Sequence, residues 1–177
     1  MTRFAATLAI LTAFAAWAGA QSNPSAPLAA EQLRLFQSNR ELLENLVEHS
    51  VELANADTPV AKVKACRASA KDLGRALRDA ADRDDPDRVA ELGDYLAAVL
   101  RHGLAPAIDE ARRTIPAGTA AEAELAEQAR AATEDAKAFE LSIPALGKIG
   151  ASAKAKDART KLQHAGEALK TPEPRNP

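Results

Sequence analysis

Aromatic residues make up only 3% of this 177-residue chain, and cysteine and methionine occur once each. One cysteine cannot form an intrachain disulfide, so a disulfide framework is excluded. The strand-favouring residues Val, Ile, Thr, Tyr and Phe are scarce, which excludes an all-β fold and argues against a parallel α/β sheet. Neither charge sign dominates: 23 basic residues stand against 25 acidic ones, a net of −2, and the protein has no general attraction for nucleic acid. What the chain has in abundance is alanine, 43 residues, far above ordinary usage. Alanine is the best helix former and a poor filler of cores. Length and composition together point to one all-α domain with a tail.

The usual catalytic signatures are absent as well. No Gly-x-Ser-x-Gly elbow and no Gly-rich phosphate loop occurs. Covalent haem attachment needs Cys-x-x-Cys-His, which one Cys cannot supply. A di-iron site needs Glu-x-x-His on two helices, and there is none. The acidic run Asp82, Asp84, Asp85, Asp87 lacks the mid-loop Gly and terminal Glu of a calcium loop. The expectation is a protein that is not an enzyme and carries no cofactor.

One long apolar run exists, at the front. Thr2-Arg3 opens with a positive charge, Phe4 to Trp17 is uncharged and mostly apolar, and Ala18-Gly19-Ala20 sets small residues where a signal peptidase reads them. The run is too short to span a bilayer comfortably. It predicts a signal peptide over 1–20, cleavage before Gln21, and export to the periplasm or beyond. The mature chain then has 22 basic and 25 acidic residues and no Met. Residues 21–27, with two Pro and two Ser, read as a flexible leader.

From there the apolar period is helical. Leu28, Leu35/Phe36, Leu42/Leu43, Leu46/Val47 and Leu53/Ala54 form one stripe, with Glu41, Glu44, Glu48 and Glu52 toward water. Thr58-Pro59 starts a second helix, with a cap residue before a proline at the first helical position. Its seam is Val63, Cys66, Ala70, Leu73, Leu77 and Ala80. Asp85-Pro86 starts a third in the same way, with seam Val89, Leu92, Leu96, Val99 and Gly103, and Pro106 predicts a kink or break. Thr119-Ala120-Ala121-Glu122 is a capping box opening a fourth, with Leu125, Ala129, Ala132, Ala136 and Phe139 inward. These four, over 28–141, predict an antiparallel up-down four-helix bundle. Residues 142–150 read as a linker. A weaker, basic, Ala-rich fifth helix spans 151–170, and 171–177 reads as a disordered tail.

Two groups of residues are candidates for function. Lys64, Arg67, Lys71, Arg75 and Arg78 recur every three or four residues and draw a basic line along the second helix. That helix is basic overall and the fourth is acidic, so the line either matches charge within the bundle or meets an anionic partner. The other group is His49 on the first helix and His102 near the end of the third. With no Met in the mature chain, a haem between helices needs both of them, and His49 is the more plausible anchor for any metal or small ligand. His164 reads as solvated. Cys66, on a seam, reads as a small buried hydrophobe, with an intermolecular disulfide as the alternative. The sequence therefore predicts an exported, non-enzymatic bundle acting through an envelope protein or an anionic envelope component, with self-association open. A small-ligand carrier or sensor is the alternative. It predicts no nucleic-acid partner and no membrane span after cleavage.

Overall fold

A computed structural model of the chain describes residues 30–170. The signal peptide expected over 1–20, the leader over 21–27 and the tail over 171–177 lie outside the described residues. The protein is all-α: no strand occurs among those residues. The helices are α1 (Ala30–Ala54), α2 (Pro59–Asp82), α3 (Pro86–Ala98), α4 (Ala105–Thr114), α5 (Ala120–Leu141), a five-residue α6 (Gly147–Ala151) and α7 (Ala153–Leu169). Backbone contacts divide the chain between Gln37 and Ser38. Of the first unit, Phe36 and Gln37 lie exposed on α1. All other packing concerns the second unit, Ser38 onward.

Local chemistry explains where the helices begin. Thr58 Oγ1 accepts from Ala61 N at 3.2 Å and Asp85 Oδ1 accepts from Arg88 N at 3.1 Å, each ahead of a proline with no N–H to satisfy. Thr119 Oγ1 accepts from Glu122 N at 3.3 Å, while the Glu122 carboxylate reaches back to the N–H of Gly118 at 2.6 Å. Ser152 caps α7 by accepting from Ala155 N at 3.4 Å.

Pro106 does not break the third helical stretch. Val99–Leu104 widens into a π turn, and the N–H of Ala105 reaches the carbonyl of Leu100, five residues back. In an α-helix the ring of Pro106 would strike the His102 carbonyl. The wider turn moves that carbonyl aside, and the helix resumes as α4.

The core is drawn from α2, α3, the π turn, α4, α5 and α7. Val63, Leu77, Val89, Leu96, Leu104 and Leu162 are wholly buried. Every member of the seams read from α2 and α5 is buried, and so are Ala155, Ala158, Leu162, Ala165 and Leu169 of α7. The 142–150 connection also packs, through Ile143 and Ile149. Gly147 there takes a positive φ of 74°, which a glycine accommodates without strain.

Ion pairs show how the helices run. Asp87 and Asp94 of α3 meet Lys154 and Lys161 of α7, each at 2.9 Å. The same seven-residue step on both helices means that they run in parallel. With Asp157 and Asp94 both at its ammonium, Lys161 is pushed up to about 12. Lys64 pairs with Glu124, and Arg67 with Asp135 at 2.8 Å, so α2 and α5 are parallel too. Small residues bring the parallel helices together: Gly74 lies under the ring of Phe139, and Gly93 lies against Ala158. Helix α1 packs sparsely by comparison. Among its described residues none joins the buried core, and Leu42 and Leu46 alone lie half-buried against it.

Candidate functional site

The apolar residues of α1 spread over roughly half the helix circumference at 100° per residue. One helix face cannot bury so wide an arc. Leu42 and Leu46 turn inward, whereas Leu43 (63% exposed), Val47 (63%) and Val51 (55%) form an outward stripe at four-residue spacing. Beside it, a groove of about 660 Å³ runs between α1 and the α2–α3 pair, with Leu73, Leu92 and Val99 opposite Leu42 and Leu46. Tyr95, 56% exposed, stands at its rim. Two serine hydroxyls line it, but Ser50 donates to the Leu46 carbonyl at 2.7 Å and Ser69 to the Ala65 carbonyl at 3.2 Å. Both donors are thus spent on their own helices, and the other polar groups of a mainly apolar lining are Asn39, Arg88, Glu91 and the Tyr95 phenol.

The border of this surface is acidic. Glu41, Glu44, Glu48 and Glu52 follow one edge of α1, and Glu91 lies on the opposite wall. Arg40 offsets Glu44 at 2.7 Å and Arg88 offsets Glu91 at 2.6 Å. Arg88 also donates to Asn39 at 2.8 Å and so ties α1 to α3. Outside α1 and Tyr95, the exposed large apolar side chains among the described residues are Leu141 and Leu146, near the end of α5. Exposed apolar surface concentrated on one helix marks a contact surface more than scattered single residues do.

A second tie carries charge. His49 Nδ1 lies 3.0 Å from Glu52 on its own helix, and Nε2 lies 3.1 Å from Asp72 on α2. The other oxygen of Asp72 is held by Arg75 at 3.2 Å. Partial burial works against a charged imidazole, but the two carboxylates outweigh it and raise the His49 pKa above the ordinary histidine value. With both ring nitrogens facing carboxylates, neither is open to a metal. His102 is exposed on the π turn, and no hydrogen bond joins it to His49. His164 is exposed and 3.6 Å from Glu167. No group of three or more His, Cys, Asp or Glu is placed to hold a metal ion among the described residues.

The basic line divides. Lys64 and Arg67 turn to α5, where Arg67 also donates to Gln128 at 3.0 Å. Arg75 stays with Asp72 on its own helix. Lys71 and Arg78 are exposed and make no ion pair among the described residues. The line is one feature in sequence and two in space. Cys66 is buried, and burial pushes its thiol pKa up, away from the reactive thiolate.

Two features escaped the sequence: the outward stripe and the partner of His49. The doublets Leu42/Leu43 and Leu46/Val47 were the signal for the first, because adjacent residues on a helix point about 100° apart. Nothing local signals Asp72, 23 residues away. No helix of the described residues is long and apolar enough to cross a membrane. Comparison with protein-family models, curated proteins and solved structures finds no match. The comparisons add no family.

Proposed function

We propose that this is an exported, non-enzymatic helical protein that works by holding an envelope protein along α1. The observation that carries the reading is the uncovered stripe Leu43, Val47, Val51 beside an apolar groove, on a body that otherwise buries its large apolar side chains well. The partner segment is an amphipathic helix with an apolar face and a Lys/Arg-rich flank. An apolar face fills the groove, and a basic flank meets the acidic border. The body that presents this surface is a four-helix bundle of α2, α3–α4, α5 and α7, alternating up and down in chain order. Export rests on the leader read in residues 1–20. The pairing of Lys64 and Arg67 with α5 favours charge matching within the bundle over an anionic partner for that part of the line.

A photoreactive amino acid placed singly at 43, 47, 51, 71 or 78 in the host tests this. The reading expects one crosslinked protein at 43, 47 and 51, joined through a basic amphipathic segment, and little at 71 and 78. A crosslink to a second copy of the chain, or crosslinks centred on 71 and 78, would reject it. The groove volume also falls within the range that holds a small ligand. That supports the carrier reading, with the site in the groove instead of at His49. An apolar molecule co-purifying with the protein and displaced by Leu73→Trp would favour it.

A further inference from the structure

The His49 bridge ties one wall of the groove to the body. One wall of the groove is α1, and the described side chains that hold that wall are few: half-buried Leu42 and Leu46, the Arg88–Asn39 bond and the His49–Asp72 bridge. A neutral imidazole has one N–H and one lone pair. Placed between Glu52 and Asp72, it satisfies one carboxylate and turns its lone pair toward the other. Only the imidazolium, a donor at both nitrogens, fits both contacts. The side chain of His49 is 18% exposed and that of Asp72 is 12% exposed, so water compensates poorly for a lost bond.

We propose that His49 is a pH-operated latch, which as imidazolium pins α1 to α2 and completes the partner groove, and as neutral imidazole lets that wall open. The inference rests on the groove reading for its functional consequence; the latch itself stands on the geometry of the bridge. The charged groups around it are Glu52 on its own helix and Asp72 with Arg75 on α2, and Glu41 and Asp79 line the small cleft that Asp72 and Arg75 share. On α3, Arg88 and Glu91 pair with each other, nearer the start of α1. His102 lies exposed on the π turn. Because the docked state binds the proton more tightly, its stabilisation is complete below the ordinary histidine pKa. It is lost as pH rises through the raised value of His49.

Hydrogen exchange on the full chain, corrected for the intrinsic effect of pH, reads the latch without any partner. Between about pH 5.5 and 8.5, peptides over 42–54 are expected to lose about tenfold in protection, the scale of one charge-assisted hydrogen bond discounted for partial exposure, while 62–80 stays unchanged. His49→Gln should exchange at the high-pH rate throughout, Asp72→Asn should flatten the profile, and His102→Gln should behave as wild type. Equal protection of 42–54 at both pH values in the wild type, or a pH step surviving in His49→Gln, would overturn the latch. An NMR titration placing His49 at or below the ordinary histidine value would do so too. The crosslinking result at Val47 is independent of these readouts, so failure of the latch and failure of the groove reading are told apart.

Discussion

Changing a glycine inside a helix to alanine ordinarily stabilises a protein by about 0.5–1 kcal/mol, because the freer backbone loses more on folding. Gly74 should do the reverse. A Cβ there falls among the ring carbons of Phe139, which is itself buried in the core between α2 and α5. Either the ring leaves its rotamer or the two helices separate. Overpacking of this kind costs about 1–3 kcal/mol, leaving a net destabilisation of about 0.5–2 kcal/mol. For a chain of this size that lowers the melting temperature by about 2–6 °C. Gly166 is the internal control, since its Cβ would meet Ala136 Cβ at 3.5 Å, an ordinary contact. Gly166→Ala should raise the melting temperature by about 2–3 °C. Thermal unfolding followed by far-ultraviolet circular dichroism compares the two, and Phe139→Leu in the Gly74→Ala background should recover part of the loss. If Gly74→Ala stabilises as much as Gly166→Ala, the α2–α5 interface is not as described.

Leu96→Asp and Leu73→Asp each put an unpaired charge into the core and should cost about 3 kcal/mol or more, against about 0.5 kcal/mol or less for Glu44→Ala; chemical denaturation measures both. Arg67→Glu should destabilise by about 1 kcal/mol and recover with Asp135→Arg, because the pair joins α2 to α5 in a partly buried setting. Lys71→Glu should leave the melting temperature unchanged. Thr119→Ala removes the cap of α5 and should cost about 1 kcal/mol, read in the same melts.

The inward seams were legible because burial on a helix repeats every 3.6 residues, and that period survives without knowledge of the partner. Leu92 and Leu96 on α3 and Leu125 and Phe139 on α5 were found in this way. Periodicity does not say which face meets which. The first helix has a clear apolar pattern and the lightest packing, whereas α7, with smaller residues and a weaker pattern, is fully integrated. Alanine explains the difference: Ala158 lets α3 and α7 approach closely at Gly93, a contact that a large side chain would prevent. The split of the basic line was equally hidden. Lys64 and Lys71 differ by seven residues, close to two full turns. The side that α5 covers at each level depends on how the two helices cross, and one helix alone does not encode that.

The central claim is that the partner is held by the apolar stripe of α1 and not by the exposed remainder of the basic line. The most direct measurement is the affinity of the crosslinked partner segment for the wild type, Val47→Asp and the pair Lys71→Glu with Arg78→Glu. Val47 is 63% exposed, so the Asp variant should fold as the wild type does. The account predicts about a hundredfold loss for Val47→Asp, the scale of a contact residue worth roughly 3 kcal/mol, and no change for the double reversal. Full binding by Val47→Asp with loss in the double reversal would contradict it.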